Sequence, residues 1–184
     1  MIEAERAKYS RAFRKIREYS DISPGKMLWH IFLEEIDPKP GETIIDLGCG
    51  RGLVAKEMAD AQLQVTQLDL DDYREEGPFQ ERYDFIKASL WEPIYGTWKY
   101  GYCCDVMEHL PTEYVMLALK NIMAHIQTGF FLISTIEDIH GKQIGETMHL
   151  TIRDFNWWMR RLNEVGTVVH ARDIIASGLY VVNR

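Results

Sequence analysis

The chain has 184 residues, 46% of them hydrophobic and 27% charged, which is the balance of an ordinary soluble globular protein of one domain. No run of about 18 apolar residues occurs, which excludes a membrane-spanning helix, and the first residues lack the apolar core of a signal peptide, so we expect a cytoplasmic location. The net charge is −7, and residues 27–150 carry 21 acidic against nine basic side chains, which argues against nonspecific nucleic-acid binding. The three cysteines cannot form a disulfide framework.

Hydrophobic periodicity along the chain predicts alternating helices and strands. Helices are predicted over 3–19, 28–36, 52–61, 111–126 and 152–163, the last opened by a capping box of Thr151 and Asp154. Strands are predicted over 43–47, 64–69, 83–88, 100–105, 129–134, 166–171 and 178–183, with a loop and a short helical turn over 71–80. This alternation predicts an α/β fold, a mostly parallel sheet with helices on both faces and one antiparallel edge strand from the final hairpin. Ligands of such sheets bind beyond the carboxyl ends of the central strands.

A glycine-rich turn follows the first predicted strand, in the sequence IIDLGCGRG. Gly48, Gly50 and Gly52 stand at alternate positions before a predicted helix, which lets the backbone approach a ligand without hindrance from Cβ atoms. The spacing is G-x-G-x-G, and Leu53 stands where a dinucleotide site needs its third glycine, which disfavours NAD and FAD. A turn that serves only packing is the alternative.

An acidic side chain, Asp69, ends the second predicted strand. A carboxylate at this strand tip can accept hydrogen bonds from both hydroxyls of a ribose. Asp71 and Asp72 follow closely, so the alternative is an acidic loop without a ligand, but only Asp69 falls at the strand tip. Asp69 is therefore the candidate ribose-binding residue.

Four segments together resemble the class I S-adenosylmethionine (SAM) dependent methyltransferases, and are similar to the ubiquinone-pathway type that acts on small molecules. The segments are IIDLGCGRG, VTQLDL, FIKASLWEP and CCDVMEHLP. The resemblance runs from about residue 41 to residue 184. It implies a three-layer, Rossmann-like, seven-stranded and mostly parallel sheet with one antiparallel edge strand, and it implies SAM as the cofactor.

The resemblance also assigns cofactor-binding residues. They are Asp46, Gly48, Gly50 and Gly52 at the methionine end, Asp69 at the ribose, Leu70, Ser89 and Leu90 at the adenine, and Asp105 at the exit of the fourth strand. Many members of the family carry aspartate at the position of Ser89. Because a neutral hydroxyl accepts a hydrogen bond more weakly than a carboxylate does, we expect the serine to weaken cofactor binding.

The segment that leaves the fourth strand lies where the transferred methyl group is expected. His109, with Glu108 beside it, is the candidate catalytic residue, since an imidazole with a pKa of about 6.5 can act as a general base toward an acceptor hydroxyl. Alternatively the two side chains only brace the loop, because positioning alone can accelerate methyl transfer.

A divalent metal site is a further alternative for this segment. Asp105, Glu108 and His109, with the distant His149, are similar to the ligand set of metal-assisted O-methyltransferases, and His140 is a rival to His149. A cation there would lower the pKa of an acceptor hydroxyl. The first acid is aspartate rather than the expected glutamate.

Two further groups of residues are interpreted as structural. Cys103 and Cys104 on the fourth strand are interpreted as small buried hydrophobes without a role. Phe155, Trp157 and Trp158 on the last helix are interpreted as packing residues, the alternative being an aromatic wall for a flat acceptor.

Residues 1–184 are therefore predicted to form one methyltransferase domain, in which residues 1–40, with Tyr9 and Tyr19, form a helical lid and 41–184 form the core. The predicted function is SAM-dependent methyl transfer to oxygen or nitrogen of a small-molecule acceptor. Two alternatives stay open. One is a metal-assisted RNA 2′-O-methyltransferase that holds phosphates with its basic N-terminal segment, and the other is a SAM-binding protein with lyase activity or none.

Overall fold

The computed structural model describes residues 2–76 and 83–184. The helices in this part of the chain are α1 (Ile2–Lys15), α2 (Arg17–Asp21), α3 (Pro24–Met27), α4 (Trp29–Ile36), α5 (Ala55–Asp60), α6 (Thr112–His125) and α7 (Phe155–Asn163). The strands are β1 (Thr43–Leu47), β2 (Gln64–Asp69), β3 (Asp84–Lys87), β4 (Trp98–Cys104), β5 (Ile126–Ser134), β6 (Thr167–Ile174) and β7 (Ser177–Asn183). Short 3-10 turns cover Tyr73–Glu76, Met107–His109 and His140–Ile144. None of the helices described is long and apolar enough to cross a membrane.

One seven-stranded sheet, in the order β3-β2-β1-β4-β5-β7-β6, forms the centre of the fold. Five neighbouring strands of this order, β3, β2, β1, β4 and β5, pair in parallel, so their carboxyl ends lie at the same edge of the sheet. β7 runs antiparallel to both β5 and β6 and lies between them. The predicted mostly parallel sheet with one reversed strand is therefore confirmed. The reversed strand itself lies one position in from the edge, because β7 rather than β6 pairs with β5.

Helices cover both faces of the sheet with fully buried apolar side chains. Leu119 of α6 and Trp158 of α7 belong to the core on one face. Phe32 of α4 and Met58 of α5 belong to the core on the other. Burial of each such side chain contributes about 1.5–3 kcal/mol. The predicted three-layer arrangement is thus confirmed, and so is the interpretation of Trp158 as a packing residue.

Two helix boundaries near the glycine turn and the lid differ from the prediction. The helix predicted over 3–19 is interrupted at Ile16, whose backbone is extended (φ −108°, ψ 108°) and whose side chain is fully buried with Ala12 and Met148. The helix predicted over 52–61 begins only at Ala55. Gly52 has a φ of +71°, which no right-handed helix can contain.

The predicted capping box before α7 is wrong in its first member. Asp154, not Thr151, is the N-cap, and its Oδ1 accepts the backbone N–H of Trp157 at 2.7 Å. The Thr151 hydroxyl donates instead to the carbonyl oxygen of Leu110 at 2.7 Å. Residues 77–80 of the predicted loop 71–80 lie outside the described residues.

Helices α1 and α2, which we call the lid, are held from two sides of the carboxyl edge of the sheet. On one side, Nε of Arg6 donates to the carbonyl oxygen of Leu70, just after β2, at 2.8 Å. On the other side, Arg11 forms an ion pair with Glu146, and Ile16 packs on Met148 in the segment after β5. The lid therefore spans the edge at which the parallel strands end.

Candidate functional site

A cavity of about 520 Å³ lies at the carboxyl edge of the sheet, beneath the lid. Its walls come from the turns after β1, β2, β3, β4 and β5 and from α1 and α2. This is where the topology predicts a ligand. Of the predicted cofactor-binding residues, those that line the cavity are Gly48, Gly50, Asp69, Leu70, Leu90 and Asp105, and those that do not are Asp46, Gly52 and Ser89.

The glycine turn after β1 brings bare backbone to the cavity. Gly48 and Gly50 have φ values of +75° and +52°, which L-residues with a Cβ rarely adopt. A Cβ on Gly48 would lie 2.6 Å from Val106, and one on Gly50 would lie 3.1 Å from the ring of Phe13 in the lid. The turn is therefore close-packed against the exit of β4 and against the lid, and it faces the cavity without side chains.

Asp46 and Gly52 lie behind this turn rather than in the cavity wall. Asp46 is buried, and its Oδ2 has no hydrogen-bond partner among the described residues. Burial, with a smaller effect of neighbouring Asp69, raises the pKa of Asp46 to about 7. A Cβ on Gly52 would lie 2.8 Å from Nε2 of Gln67, so this glycine is needed for packing beneath the turn. A contact of either residue with the methionine end of SAM stays a prediction.

The Asp69 carboxylate joins the glycine turn to the end of β2. Its Oδ2 accepts the backbone N–H of Gly50 and its Oδ1 accepts that of Leu70, each at 2.7 Å. Burial raises the pKa of Asp69 to about 6. Because each carboxylate oxygen has two lone pairs, each keeps one further acceptor position for a ligand hydroxyl.

The region predicted to hold adenine is apolar. Leu70 and Leu90 line the cavity as expected, together with Ala88 and Trp91, which sequence reasoning did not assign. Ser89 is fully buried, and its hydroxyl oxygen accepts the N–H of Trp91 at 3.4 Å. The predicted adenine contact of Ser89 therefore has no support in the lining of the cavity. Trp91 directly follows the assigned Leu90, which is the signal that could have found it.

Glu108, His109 and His149 form a cluster in which both histidines line the cavity, whereas Glu108 is fully buried behind them and does not line it. One nitrogen or oxygen atom from each lies within 4.8 Å of the other two. Nδ1 of His109 lies 3.1 Å from the carbonyl oxygen of Met148, and Nδ1 of His149 lies 2.7 Å from that of Ile136. Donation of Nδ1–H to these carbonyls fixes each ring and leaves Nε2 with a free lone pair.

Glu108, the third member of the cluster, has one carboxylate oxygen without a hydrogen-bond partner among the described residues. Its Oε1 accepts the backbone N–H of Ser134 at 2.8 Å, and its buried Oε2 has no partner among the described residues. Burial, and then the neighbouring Asp105 carboxylate, raises the pKa of Glu108 well above its usual value. Burial lowers the pKa of His109 to about 4, so the imidazole is neutral at pH 7.

The structure assembles three of the four predicted metal ligands and rejects the rival histidine. Asp105 lines the cavity, but it is not a member of the cluster. His140 also lines the cavity, but its Nδ1 lies 3.8 Å from Oε2 of Glu18 and it belongs to no metal-type cluster found among the described residues. His149, which lies 40 positions beyond His109, is therefore its partner.

The aromatic wall proposed from α7 is wrong. Phe155 stacks on Tyr180 with 5.1 Å between ring centroids, and neither it nor Trp157 nor Trp158 lines the cavity. The aromatic lining comes from Tyr9, Phe13, Tyr19 and Trp91. Three of these aromatic residues belong to the lid, and their helical spacing in the sequence was the signal that could have predicted their place in the cavity wall.

Cys103 and Cys104, which are interpreted as small buried hydrophobes, lie on β4. Cys103 is fully buried, and Cys104 lines the cavity. Burial raises the pKa of both thiols, so neither is a thiolate at neutral pH. The absence of a role for them stays a prediction.

The family model of a methyltransferase domain matches residues 13–176 of the chain. The chain belongs to this methyltransferase family. The chain is 27% identical over 132 residues to a ubiquinone biosynthesis O-methyltransferase of Burkholderia pseudomallei (strain 1710b), a match that covers 63% of this chain and 52% of that protein. The chain thus spans about half the length of this relative.

Solved structures share the fold of this chain at low sequence identity. The PH0226 protein from Pyrococcus horikoshii OT3 has a TM-score of 0.76 and 14% identity, with 93% of this chain and 97% of that chain covered. A second structure is the 1,6-didemethyltoxoflavin-N1-methyltransferase of Burkholderia thailandensis, solved with 1,6-didemethyltoxoflavin and S-adenosylhomocysteine. It has a TM-score of 0.74 and 15% identity, with 100% of this chain and 90% of that chain covered. These likenesses confirm the predicted Rossmann-like fold.

Proposed function

We propose that this methyltransferase domain binds SAM and transfers its methyl group to an oxygen or nitrogen atom of a small-molecule acceptor. The observation that carries the proposal is the Asp69 carboxylate, which the backbone of Gly50 and Leu70 holds in the cavity wall with one acceptor position left on each oxygen. Family membership supports the cofactor and the reaction. The name of the ubiquinone-pathway relative supports transfer to oxygen, and the name of the toxoflavin enzyme supports transfer to nitrogen.

The lining of the cavity supports a SAM site that runs from the ribose to the adenine. Asp69 would accept the ribose hydroxyls, and the apolar side chains of Leu70, Leu90 and Trp91 would enclose the adenine. Gly50 leaves the wall open beside them because it has no side chain. SAM supplies an electrophilic methyl group on its sulfonium sulfur. The chain binds and orients the two reactants for an in-line displacement, which is a large source of acceleration in itself.

His109 lines the cavity, which supports its proposed role as acceptor of a proton from an acceptor hydroxyl. Its Nδ1 faces the Met148 carbonyl, so Nε2 is the basic atom. With a pKa of about 4, however, this nitrogen is a weak base at neutral pH. We therefore assign most of the rate to positioning, and keep Glu108 and His109 as candidate catalytic residues.

The charges of the cavity favour a neutral or cationic acceptor. Among the described residues, six carboxylates and one guanidinium, that of Arg51, line the cavity. The carboxylates are those of Glu5, Glu18, Asp69, Asp105, Glu137 and Asp138. This excess of negative charge opposes a phosphate-rich acceptor, because such ligands are held by clustered cations. It therefore disfavours the RNA alternative, which the names of the relatives above do not support either.

A second candidate is metal-assisted O-methyl transfer, and the cluster of Glu108, His109 and His149 favours it. Both histidines have Nδ1 against a backbone carbonyl, as metal-bound histidines commonly do, and the buried Oε2 of Glu108 has no other partner in the described structure. Ligand atoms around a cation lie roughly 3–4 Å apart, so small side-chain shifts from the present spacing would suffice. A divalent cation held by these three side chains would lower the pKa of an acceptor hydroxyl.

Calorimetric titration of SAM and S-adenosylhomocysteine into the purified protein tests the main proposal. We expect binding to the wild type and a loss of at least about tenfold in affinity for Asp69→Ala, since its charged acceptor carries two hydrogen bonds worth about 1.5–3 kcal/mol each. Asp71→Ala is the matched control, because Asp71 pairs with Lys87 and does not line the cavity. Equal affinities in all three proteins would refute the proposal.

Methyl transfer from labelled SAM to fractionated small molecules and to RNA then identifies the acceptor class. Release of methylthioadenosine from SAM with the enzyme alone would support the lyase alternative instead.

Titration with Mn²⁺, Mg²⁺ and Zn²⁺ tests the second candidate. We expect His149→Ala to abolish binding of the cation that the wild type takes up, and His140→Ala to retain it, since only His149 belongs to the cluster. Wild-type protein that binds none of the three cations, or a His149→Ala variant that binds as the wild type does, would remove this candidate.

We also propose that residues 1–184 act as one unit, in which 41–184 form the core and, of the predicted lid segment 1–40, α1 and α2 form the lid while α4 packs on the sheet. The contacts of Tyr9, Phe13 and Tyr19 with the cavity support a lid. A cytoplasmic location stays a prediction from the sequence.

A further inference from the structure

The lid contributes a buried tyrosine hydroxyl that has no use within the protein. Tyr9 of α1 lines the cavity. Its hydroxyl oxygen is buried and has no hydrogen-bond partner among the residues that the structure describes. A buried hydroxyl without a partner costs free energy, and phenylalanine would fill the same space without that cost. Phe13, one turn further along the same helix, is an example of an apolar ring in this lining.

Tyr9 lies beside the histidine cluster and within electrostatic range of Asp69, the predicted ribose-binding residue. The ring lies edge-on to that of His109, with 5.8 Å between centroids. Burial, followed by Tyr19 and the carboxylates of Glu5, Asp69 and Glu108, raises the pKa of Tyr9 well above its usual value. The hydroxyl is therefore protonated at neutral pH and can donate a hydrogen bond.

We infer that the Tyr9 hydroxyl is a hydrogen-bonding group for bound SAM, supplied by the lid. Tyr9 lines the cavity in which Asp69 would hold a ligand beneath α1, and a polar atom of that ligand would satisfy the buried hydroxyl. The inference rests on the proposed function, since it needs SAM in this cavity. It adds a cofactor-binding residue that lies outside the four segments that resemble the family.

The test compares Tyr9→Phe with Tyr73→Phe in the otherwise intact protein. Both variants remove one hydroxyl at the interface of the lid, and Tyr73 is the matched control because its hydroxyl donates to the carbonyl oxygen of Arg6 at 3.4 Å and it does not line the cavity. Calorimetry measures the Kd for SAM and for S-adenosylhomocysteine, and thermal unfolding of the ligand-free proteins measures stability.

We expect Tyr9→Phe to raise the Kd about fivefold, which corresponds to about 1 kcal/mol, and to leave the melting temperature of the ligand-free protein unchanged or higher. Tyr73→Phe should leave the Kd within about twofold of the wild type. A purely structural tyrosine would give the opposite pattern, a lower melting temperature of the ligand-free protein with an unchanged Kd, and this result would overturn the inference. An unchanged Kd for Tyr9→Phe overturns it in any case. Wild-type protein that binds neither ligand would instead refute the proposed function, so the two failures are distinguishable.

Discussion

Replacement of Asp46 by asparagine should stabilise the ligand-free protein at neutral pH and leave its stability nearly unchanged at pH 4. Asp46 is buried behind the glycine turn, and its pKa is raised from 3.8 to about 7 by burial and by Asp69. A carboxyl group with a raised pKa binds its proton more tightly in the folded protein than in the unfolded chain. The wild type therefore loses stability as pH rises from about 4 to about 7, and asparagine, which carries no charge, does not show this loss.

The size of the effect follows from the two pKa values. The difference between 3.8 and about 7 corresponds to about 4 kcal/mol, fully developed only above pH 7. This is an upper limit, because local rearrangement around the charged form reduces it. For a chain of this length it corresponds to a rise in melting temperature of roughly 10 °C at pH 8.

Urea unfolding followed by tryptophan fluorescence at pH 4, 6 and 8 measures the difference between variant and wild type. Asp84→Asn is the matched control, since Asp84 is exposed at the start of β3 and the same substitution there removes a carboxylate from the surface. A stability difference between Asp46→Asn and wild type that is the same at all three pH values would refute the reasoning, and so would a less stable variant at pH 8.

Three further substitutions test the packing of the fold. Gly48→Ala should destabilise the protein by about 2 kcal/mol or more in urea unfolding, because a Cβ there lies 2.6 Å from Val106 at a φ of +75°, and an unchanged midpoint would contradict this. Phe32→Ala should cost about 3–5 kcal/mol by the same measurement, since the ring is fully buried, and a cost below that of Phe32→Leu would be unexpected. Arg11→Ala should cost less than about 1 kcal/mol, since the ion pair with Glu146 is partly exposed, and a larger loss would show that it holds the lid.

The alternation of strands and helices and the position of the cavity could be predicted from the sequence because they depend on local patterns, whereas the placement of β7 between β5 and β6 could not. The apolar run before Gly48 and the acid at the end of the next strand are both local signals, and parallel strands place them at one edge. The interruption at Ile16 could not be predicted, because Ile16 fits the helical period and only its burial against Met148, far along the chain, favours an extended backbone.

Individual site residues could not all be predicted, because a sequence pattern places a residue near the cavity but does not show whether its side chain points into it. Ser89 stands at the position where relatives carry an adenine contact, yet it is buried away from the cavity lining. The pairing of His109 with His149 rather than His140 depends on how the segment after β5 folds back, and each ring is then fixed by a backbone carbonyl that no sequence pattern marks. Sequence spacing alone could not decide which of the two histidines, His140 or His149, lies beside His109.

The two backbone hydrogen bonds of Asp69 mean that the proposed ribose site would be preorganised. Gly50 and Leu70 already hold the carboxylate in place without a ligand, so little conformational entropy remains to be lost on binding. A weaker affinity of Asp69→Ala would therefore combine two effects, the missing acceptor and a turn that is no longer tied to β2. Asp69→Asn keeps one oxygen that can accept the N–H of Gly50, and the difference between the two variants separates the entropy of ordering the turn from the hydrogen bonds to the ligand.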